Sequence, residues 1–233
     1  LRNLSIILMA SNPVTLPDAL DSILSVVPDY TELIVGIAPN LPKASRRLLK
    51  AMPRMLLVSG TTDISKAGRV RFRLLDKCSS EWILNCDDDD LLVYAPPLDD
   101  VAPNVAYLFG DCVFLAPSAV GPFQAGHCKV LKGGSIDKSS EANRAAGSHW
   151  LLRREAWKQV SPLINRSYFW FSDFRIIFWL LRLGWRIEYI PRLMGIVRVL
   201  KWNYPIGSEW LWPNFVAELK RKVDRLEEKS DET

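Results

Sequence analysis

The chain opens on an apolar run of strand length, Leu4-Ser5-Ile6-Ile7-Leu8-Met9, and then changes period. Across residues 17–27 the apolar positions Leu20, Ile23, Leu24 and Val27 return in steps of three and four, which is the spacing of one helix face. The alternation repeats down the first half. Residues 32–37 predict a second strand, and 42–50 a helix with Pro42 suited to its first turn. Residues 54–58 predict a third strand, 67–78 a basic helix and 82–86 a fourth strand. Strands separated by helices of this length predict a parallel sheet covered on both faces.

After residue 100 the pattern changes. Residues 105–109 and 112–115 flank Gly110-Asp111 and predict a strand pair joined by a tight turn. The stretch 116–146 is rich in Gly, Ser, Pro and Lys and reads as a long loop with one strand at 127–131; loops of this length are commonly lids or binding loops. Residues 148–152 predict a strand and 154–160 a short helix. Residues 172–183 predict a helix with Phe174, Ile177, Phe178 and Leu181 on one face, ended by Gly184 as a left-handed cap. Two more strands are expected at 185–190 and 196–200. The tail, 209–229, is amphipathic, with Phe215, Leu219, Val223 and Leu226 aligned. There is no internal repeat.

Composition narrows the class without naming an activity. A chain of 233 residues that is 48% hydrophobic can bury one sizeable core, and a 24% charged fraction argues against wholesale disorder. A net charge of +4 permits phosphate or anionic-surface partners without requiring them. Cys78, Cys86, Cys112 and Cys128 show no CxxC spacing and read as reduced thiols of a cytoplasmic protein. No apolar run is long enough for a membrane span, so no transmembrane segment is expected. The first residue is Leu1, without a signal-peptide pattern, and the missing Met allows for an N-terminal trim. The tail helix could dock peripherally on an anionic membrane or form a dimer; its short apolar row favours intramolecular packing.

The candidate chemistry lies at "NCDDDDLL", residues 85–92, where the fourth strand leaves the sheet. Adjacent carboxylates repel by about 1–3 kcal/mol per pair at surface-like dielectric. A divalent cation among them turns that cost into a gain. Mg²⁺ and Mn²⁺ take oxygen ligands, typically one or two carboxylates together with substrate phosphates. Open α/β sheets bind ligands beyond the carboxyl ends of their strands, where this run sits. A solvated acidic turn capping a following helix satisfies the same pattern.

Five stretches in order, "LSIILMASNP", "SSEWILNCDDDDLL", "AYLFGDCVFL", "GSHWLLRREAW" and "SDFRIIFWLLRLGWRIEYIPR", resemble the family 2 glycosyltransferases over residues 4–198. The resemblance implies a GT-A fold: a Rossmann-like, mainly parallel mixed sheet flanked by helices, with a small second sheet, followed here by a C-terminal helix. It implies that Asp87 lies near the donor's ribose or nucleotide and joins the metal site. Asp88 takes the free position of the family's Asp-x-Asp-Asp pattern, beside the donor, and Asp89 is the main ligand of a Mn²⁺ or Mg²⁺ that bridges the diphosphate. Ala10, Ser11 and Asn12 would approach the nucleotide, with Asn40 standing in for the acid the family carries after its second strand. Arg71 matches the arginine of an Ala-Arg-Asn stretch, which would approach the donor's nucleotide or phosphates unless it only solvates a helix face, and Arg198 matches a basic residue near the leaving phosphates. Phe72 and Leu74 replace the family's Asn and Gly, and its closing His is absent, which leaves a third metal ligand unassigned. His149, Trp150 and Trp202 would line the acceptor side, although a lone His beside Trp is more commonly a packed, satisfied residue.

Sugar transfer breaks the bond from the anomeric carbon to a nucleoside diphosphate, and charge develops on the leaving group. The acceptor hydroxyl must lose a proton as it attacks, and a carboxylate within hydrogen-bond reach can take it. The resemblance makes Asp173 that base, with inversion at the anomeric carbon. Ser172 and Asp173 also suit a helix N-cap and first turn, and the two roles are compatible.

The expected organisation is a catalytic domain over 1–204, divided into a nucleotide-sugar-binding half (1–115) and an acceptor half (116–204), then the helical tail 205–233. The implied donor is a UDP-sugar by default and the implied acceptor a saccharide or glycoconjugate. Transfer to a hydroxylated base in DNA is a second reading, since basic balance and exposed aromatics suit nucleic acid. A catalytically silent nucleotide-sugar-binding module is a third, motivated by the missing acid after the second strand. Oligomeric state is not legible.

Overall fold

A computed structural model describes residues 3–61, 67–115, 128–131, 149–164 and 172–198. The first half alternates as the periodicity predicts: β1 (Leu4–Ala10), α1 (Leu16–Val26), β2 (Glu32–Ile37), α2 (Lys43–Ala51), β3 (Met55–Ser59), α3 (Ala67–Lys77) and β4 (Trp82–Asp87). These four strands are all parallel, in the order β3-β2-β1-β4. Burial on both faces explains why β1 reads as an apolar run interrupted only by Ser5. Leu4, Ile6 and Leu8 share one core with Leu16, Leu20 and Ile23 of α1, while Ile7 joins Val70 and Leu74 of α3 in the other. Gly36 lets α3 approach β2, because a Cβ there would lie 2.8 Å from the Val70 side chain. Pro42 is displaced from its expected place. It caps α2 from outside the first turn, with ψ at 153°, and its carbonyl accepts from the Arg46 amide at 3.1 Å.

The second half extends the same sheet: β5 (Leu91–Leu92), β6 (Val105–Leu115), β7 (Cys128–Leu131), β8 (Trp150–Arg153), α4 (Arg154–Val160), α5 (Ser172–Arg182) and β9 (Arg186–Arg198). The order continues β4-β8-β6-β9-β5, with β7 pairing on β6. β8 is antiparallel to both β4 and β6, and β6 is parallel to β9. Among the described residues there is one mixed sheet of nine strands, so the small second sheet is absorbed into the first.

Three further expectations change. Residues 105–115 form one strand, and Gly110-Asp111 is a register irregularity within it. Gly110 is needed there for close approach: a Cβ would lie 2.6 Å from both the Arg192 carbonyl oxygen and Met194 Cγ. The strands expected at 185–190 and 196–200 are one strand as far as Arg198. The acidic run leads into β5, antiparallel to β9, and caps no helix.

The buried face of α5 is also turned from the expected one. Ile176, Ile177 and Leu180 are fully buried, whereas Phe178 and Leu181 are only partly so. Gly184 does end the helix, at φ 82°. Its amide donates to the Leu181 carbonyl at 3.2 Å and the Trp185 amide donates to Leu180 at 3.0 Å, a Schellman pair. Cys78, Cys86 and Cys112 are buried free thiols. No described helix is long and apolar enough to cross a membrane. The tail 205–233, most of the loop 116–146 and Trp202 lie outside the described residues.

Candidate functional site

The strand order turns back between β1 and β4, because β2 and β3 lie on one side of β1 and β4 on the other. The crevice beyond the carboxyl ends of such neighbours is where open α/β sheets take ligands. Met9 pairs with Asp87 at this rim, so the loop after β1 and the acidic turn after β4 face each other. The β1 loop enters α1 directly, the Leu16 amide donating to the Asn12 carbonyl at 3.2 Å.

The four carboxylates have separate environments. Asp88 turns inward, is 5% exposed, and accepts from the backbone amides of Ser11 and, at 2.5 Å, of Asn12. Burial pushes its carboxyl up to about 7, against the pull of those two amides. The sequence placed Asp88 in a free position beside the donor; the structure makes it a clasp between the two loops, because two otherwise unmatched amides need its oxygen. Asp90 is also buried, and its amide donates to the Asp87 carbonyl at 3.3 Å, closing the turn. Asp89 is half-buried near the turn's tip.

Asp87 faces Arg71 of α3. The Arg71 NH2 donates to both Asp87 oxygens, at 2.8 and 3.2 Å, and its NH1 donates to Asp173 Oδ1 at 3.0 Å. The three side chains are 11%, 23% and 19% exposed. Burial alone would disfavour the guanidinium's charge, but Asp87 and then Asp173 more than offset it and hold the group above its usual value. Asp173 lies in the first turn of α5, so one cation joins the end of a strand to the start of a helix. Sequence reading singled out all three residues and missed their union. The signal was present: Gly68, Arg71 and Leu75 fall on one helical stripe, and Gly68 and Leu75 are buried. An arginine on such a stripe needs acidic partners.

The remaining candidates divide. Ser11 is exposed and Asn12 partly so, with the Asn12 Oδ1 accepting from the Val14 amide at 3.0 Å. Ala10 is buried and contributes backbone, its carbonyl accepting from the Ala38 amide at 2.9 Å. Asn40 is exposed in the turn after β2. Arg198 closes β9 opposite Leu115. His149 and Trp150 are not displayed for an acceptor: both are buried, His149 against Gly195 and Trp150 stacked on Tyr107 at 5.5 Å. Burial pushes His149 down to about 4 although the Asp87 charge opposes it, so the imidazole is neutral at pH 7. Trp150 opens β8, whose residues are buried on both sheet faces.

Among the described residues no three His, Cys, Asp or Glu side chains converge as a ready-made metal cluster. The donor set at the strand end still fits a hard cation that takes one or two carboxylates and completes its shell with substrate oxygens and water. Asp87 and Asp89 are the less buried carboxylates of the turn, Asp88 and Asp90 the buried ones.

No protein-family model matches the chain, and no curated protein matches it in sequence. Solved structures do match. One is the crystal structure of GalNAc-T7 with UDP, GalNAc and Mn²⁺, with a TM-score of 0.63 at 13% identity over 84% of this chain. The match spans 43% of that protein's chain. A likeness at this identity is one of architecture: the chain has a mixed α/β fold of the GT-A kind, with its acidic turn at the sheet's switch point.

Proposed function

We propose that the chain is a metal-dependent glycosyltransferase that moves a sugar from a nucleoside-diphosphate donor to a hydroxyl acceptor with inversion. The observation that carries this reading is the meeting, at one crevice rim, of the acidic turn of β4 with the carboxylate that opens α5. The fold supports it, as does the UDP and Mn²⁺ held by the GalNAc-T7 structure it resembles. A UDP-sugar is the default donor, and a saccharide or glycoconjugate the default acceptor. The buried free thiols suit a reducing, cytoplasmic setting.

The residues divide the work. Asp89, with Asp87, would hold Mn²⁺ or Mg²⁺. When bound, that ion supplies electrostatic stabilisation of charge on the leaving diphosphate. The exposed edge formed by Ser11, Asn12 and Asn40 borders the nucleotide's place, and Arg198 stands at the end of β9 for the phosphates. Asp173 accepts the proton of the acceptor hydroxyl as that oxygen attacks the anomeric carbon. The bond to the diphosphate oxygen breaks as the new glycosidic bond forms, and a single displacement inverts the centre.

A panel of nucleotide sugars, screened by melting temperature with and without Mn²⁺, tests the reading. Bound ligand raises stability by mass action, about 2.7 kcal/mol at a hundredfold excess over Kd. At least one UDP-sugar should stabilise the chain in the presence of the metal, and Asp89→Ala should abolish the effect. A panel that stabilises nothing, or does so equally without metal, overturns the proposal.

A further inference from the structure

Arg71 was expected to approach the donor's nucleotide or phosphates, yet its guanidinium is committed elsewhere. Its NH2 donates to both oxygens of Asp87 and its NH1 to Asp173, all within 2.8–3.2 Å. The two partners come from segments far apart in the chain, 16 residues after Arg71 and 102 residues after it. The cation itself is 11% exposed. Tyr107 from β6 is buried in the same neighbourhood and feels the charge of both Arg71 and Asp173. A diphosphate that displaced these carboxylates would leave them poorly solvated without a counter-charge, which is strongly unfavourable. A planar fork serves two carboxylates in fixed directions, and a lysine ammonium does not reproduce that geometry.

We infer that Arg71 is a positioning residue: it holds the carboxylate of Asp173 at a fixed distance from the acidic turn of β4, and it makes no contact with the donor. This rests on the glycosyltransferase reading, in which Asp173 takes the acceptor's proton. α3 carries the cation, β4 the donor-side acid and α5 the base, so three elements are registered by one group. Placement of a base to within an ångström is worth about a hundredfold in rate. The inference explains why the α3 stripe bears an arginine although Phe72 and Leu74 depart from the family's motif. Arg71 is retained for its place between two carboxylates, and its helical neighbours are free to serve the core.

The test has two arms on the full chain. In the first, melting temperatures are measured for Asp87→Asn, Asp173→Asn and the double substitution, with Arg71 present and in an Arg71→Met background. With Arg71 present the double substitution should cost more than the sum of the singles, because it strands a buried cation; in the Arg71→Met background that excess should vanish. Additive singles with Arg71 present overturn the inference. In the second arm, Mn²⁺-dependent UDP binding and UDP release from nucleotide sugars are compared for the original chain, Arg71→Lys and Arg71→Met. Turnover should fall about a hundredfold while UDP affinity and donor KM stay within about threefold. Recovery by Arg71→Lys should be slight. Affinity lost about tenfold with saturated turnover intact makes Arg71 a donor contact and overturns the inference. Should the original chain bind no UDP, the glycosyltransferase reading fails, and the melting cycle alone decides whether Arg71 couples the two carboxylates.

Discussion

Asp88 shows how the environment of one residue outweighs its place in a run of identical ones. Four consecutive acids look interchangeable in sequence, but Asp88 faces inward and satisfies the amides of Ser11 and Asn12. Removing the acceptor from these two part-buried amides costs about 1–3 kcal/mol, and urea unfolding of Asp88→Ala should show a loss of that size. Asp88→Asn keeps an acceptor oxygen and should lose less. His149 sets a pH dependence of definite sign. Its folded pKa is about 4 against an ordinary 6.5. The unfolded chain therefore binds a proton that the folded chain refuses, and stability is lost as pH falls from 6.5 towards 4. The contribution reaches about 3 kcal/mol at the lower end. His149→Gln cannot titrate, so its melting temperature should lose this trend and keep the opposite one set by Asp88, whose carboxyl at about 7 favours the fold as pH falls through the same window. The Asp88 clasp was not legible, whereas packing of His149 beside Trp150 was, without its partner. The direction in which Asp88 points, and the sealing of His149 under Gly195, depend on segments brought together by the sheet.

Individual elements were most legible where burial is simplest. β1, β2 and β4 are covered on both faces, so their apolar runs announce them, and the helices between them follow from spacing. The long strands β6 and β9 were each read as two, β6 because Gly110-Asp111 resembles a tight turn and β9 because residues 191–195 interrupt its apolar pattern. In the sheet those residues absorb a shift of register: Gly110 pairs with Ile190 and Asp111 with Leu193, leaving Pro191 and Arg192 unmatched. A proline in such a bulge costs no ladder hydrogen bond. Two glycines make contrasting predictions. Gly184 has open space around its Cβ position but a φ of 82°. Gly184→Ala should therefore lose about 1–2 kcal/mol by backbone strain alone. At Gly195 a Cβ would fall on the His149 ring, and Gly195→Ala should cost about 1–3 kcal/mol through overpacking. Calorimetric melting of both separates strain from collision, since repacking around residue 195 should also change how stability depends on pH.

At the scale of the whole molecule, the sheet order brings the carboxyl ends of β1 and β4 together and sets α3 and α5 around them. The doubly covered parallel half was visible as a rhythm of strands and helices. Arg71's place on the buried α3 stripe signalled a need for acidic partners, but not that they are Asp87 and Asp173, because no local pattern names a contact across 102 residues. The same topology gives the functional reading its content: an acidic rim for a cation and diphosphate, with a base held beside it. Diffraction from crystals soaked with Mn²⁺ and UDP, recorded for the anomalous signal of manganese, tests this most directly. The account predicts a peak within bonding distance of the Asp89 carboxylate, bridging it to the UDP phosphates at the rim of β4. Manganese and nucleotide absent from that rim, or ordered elsewhere while Asp89 faces bulk water, would contradict it.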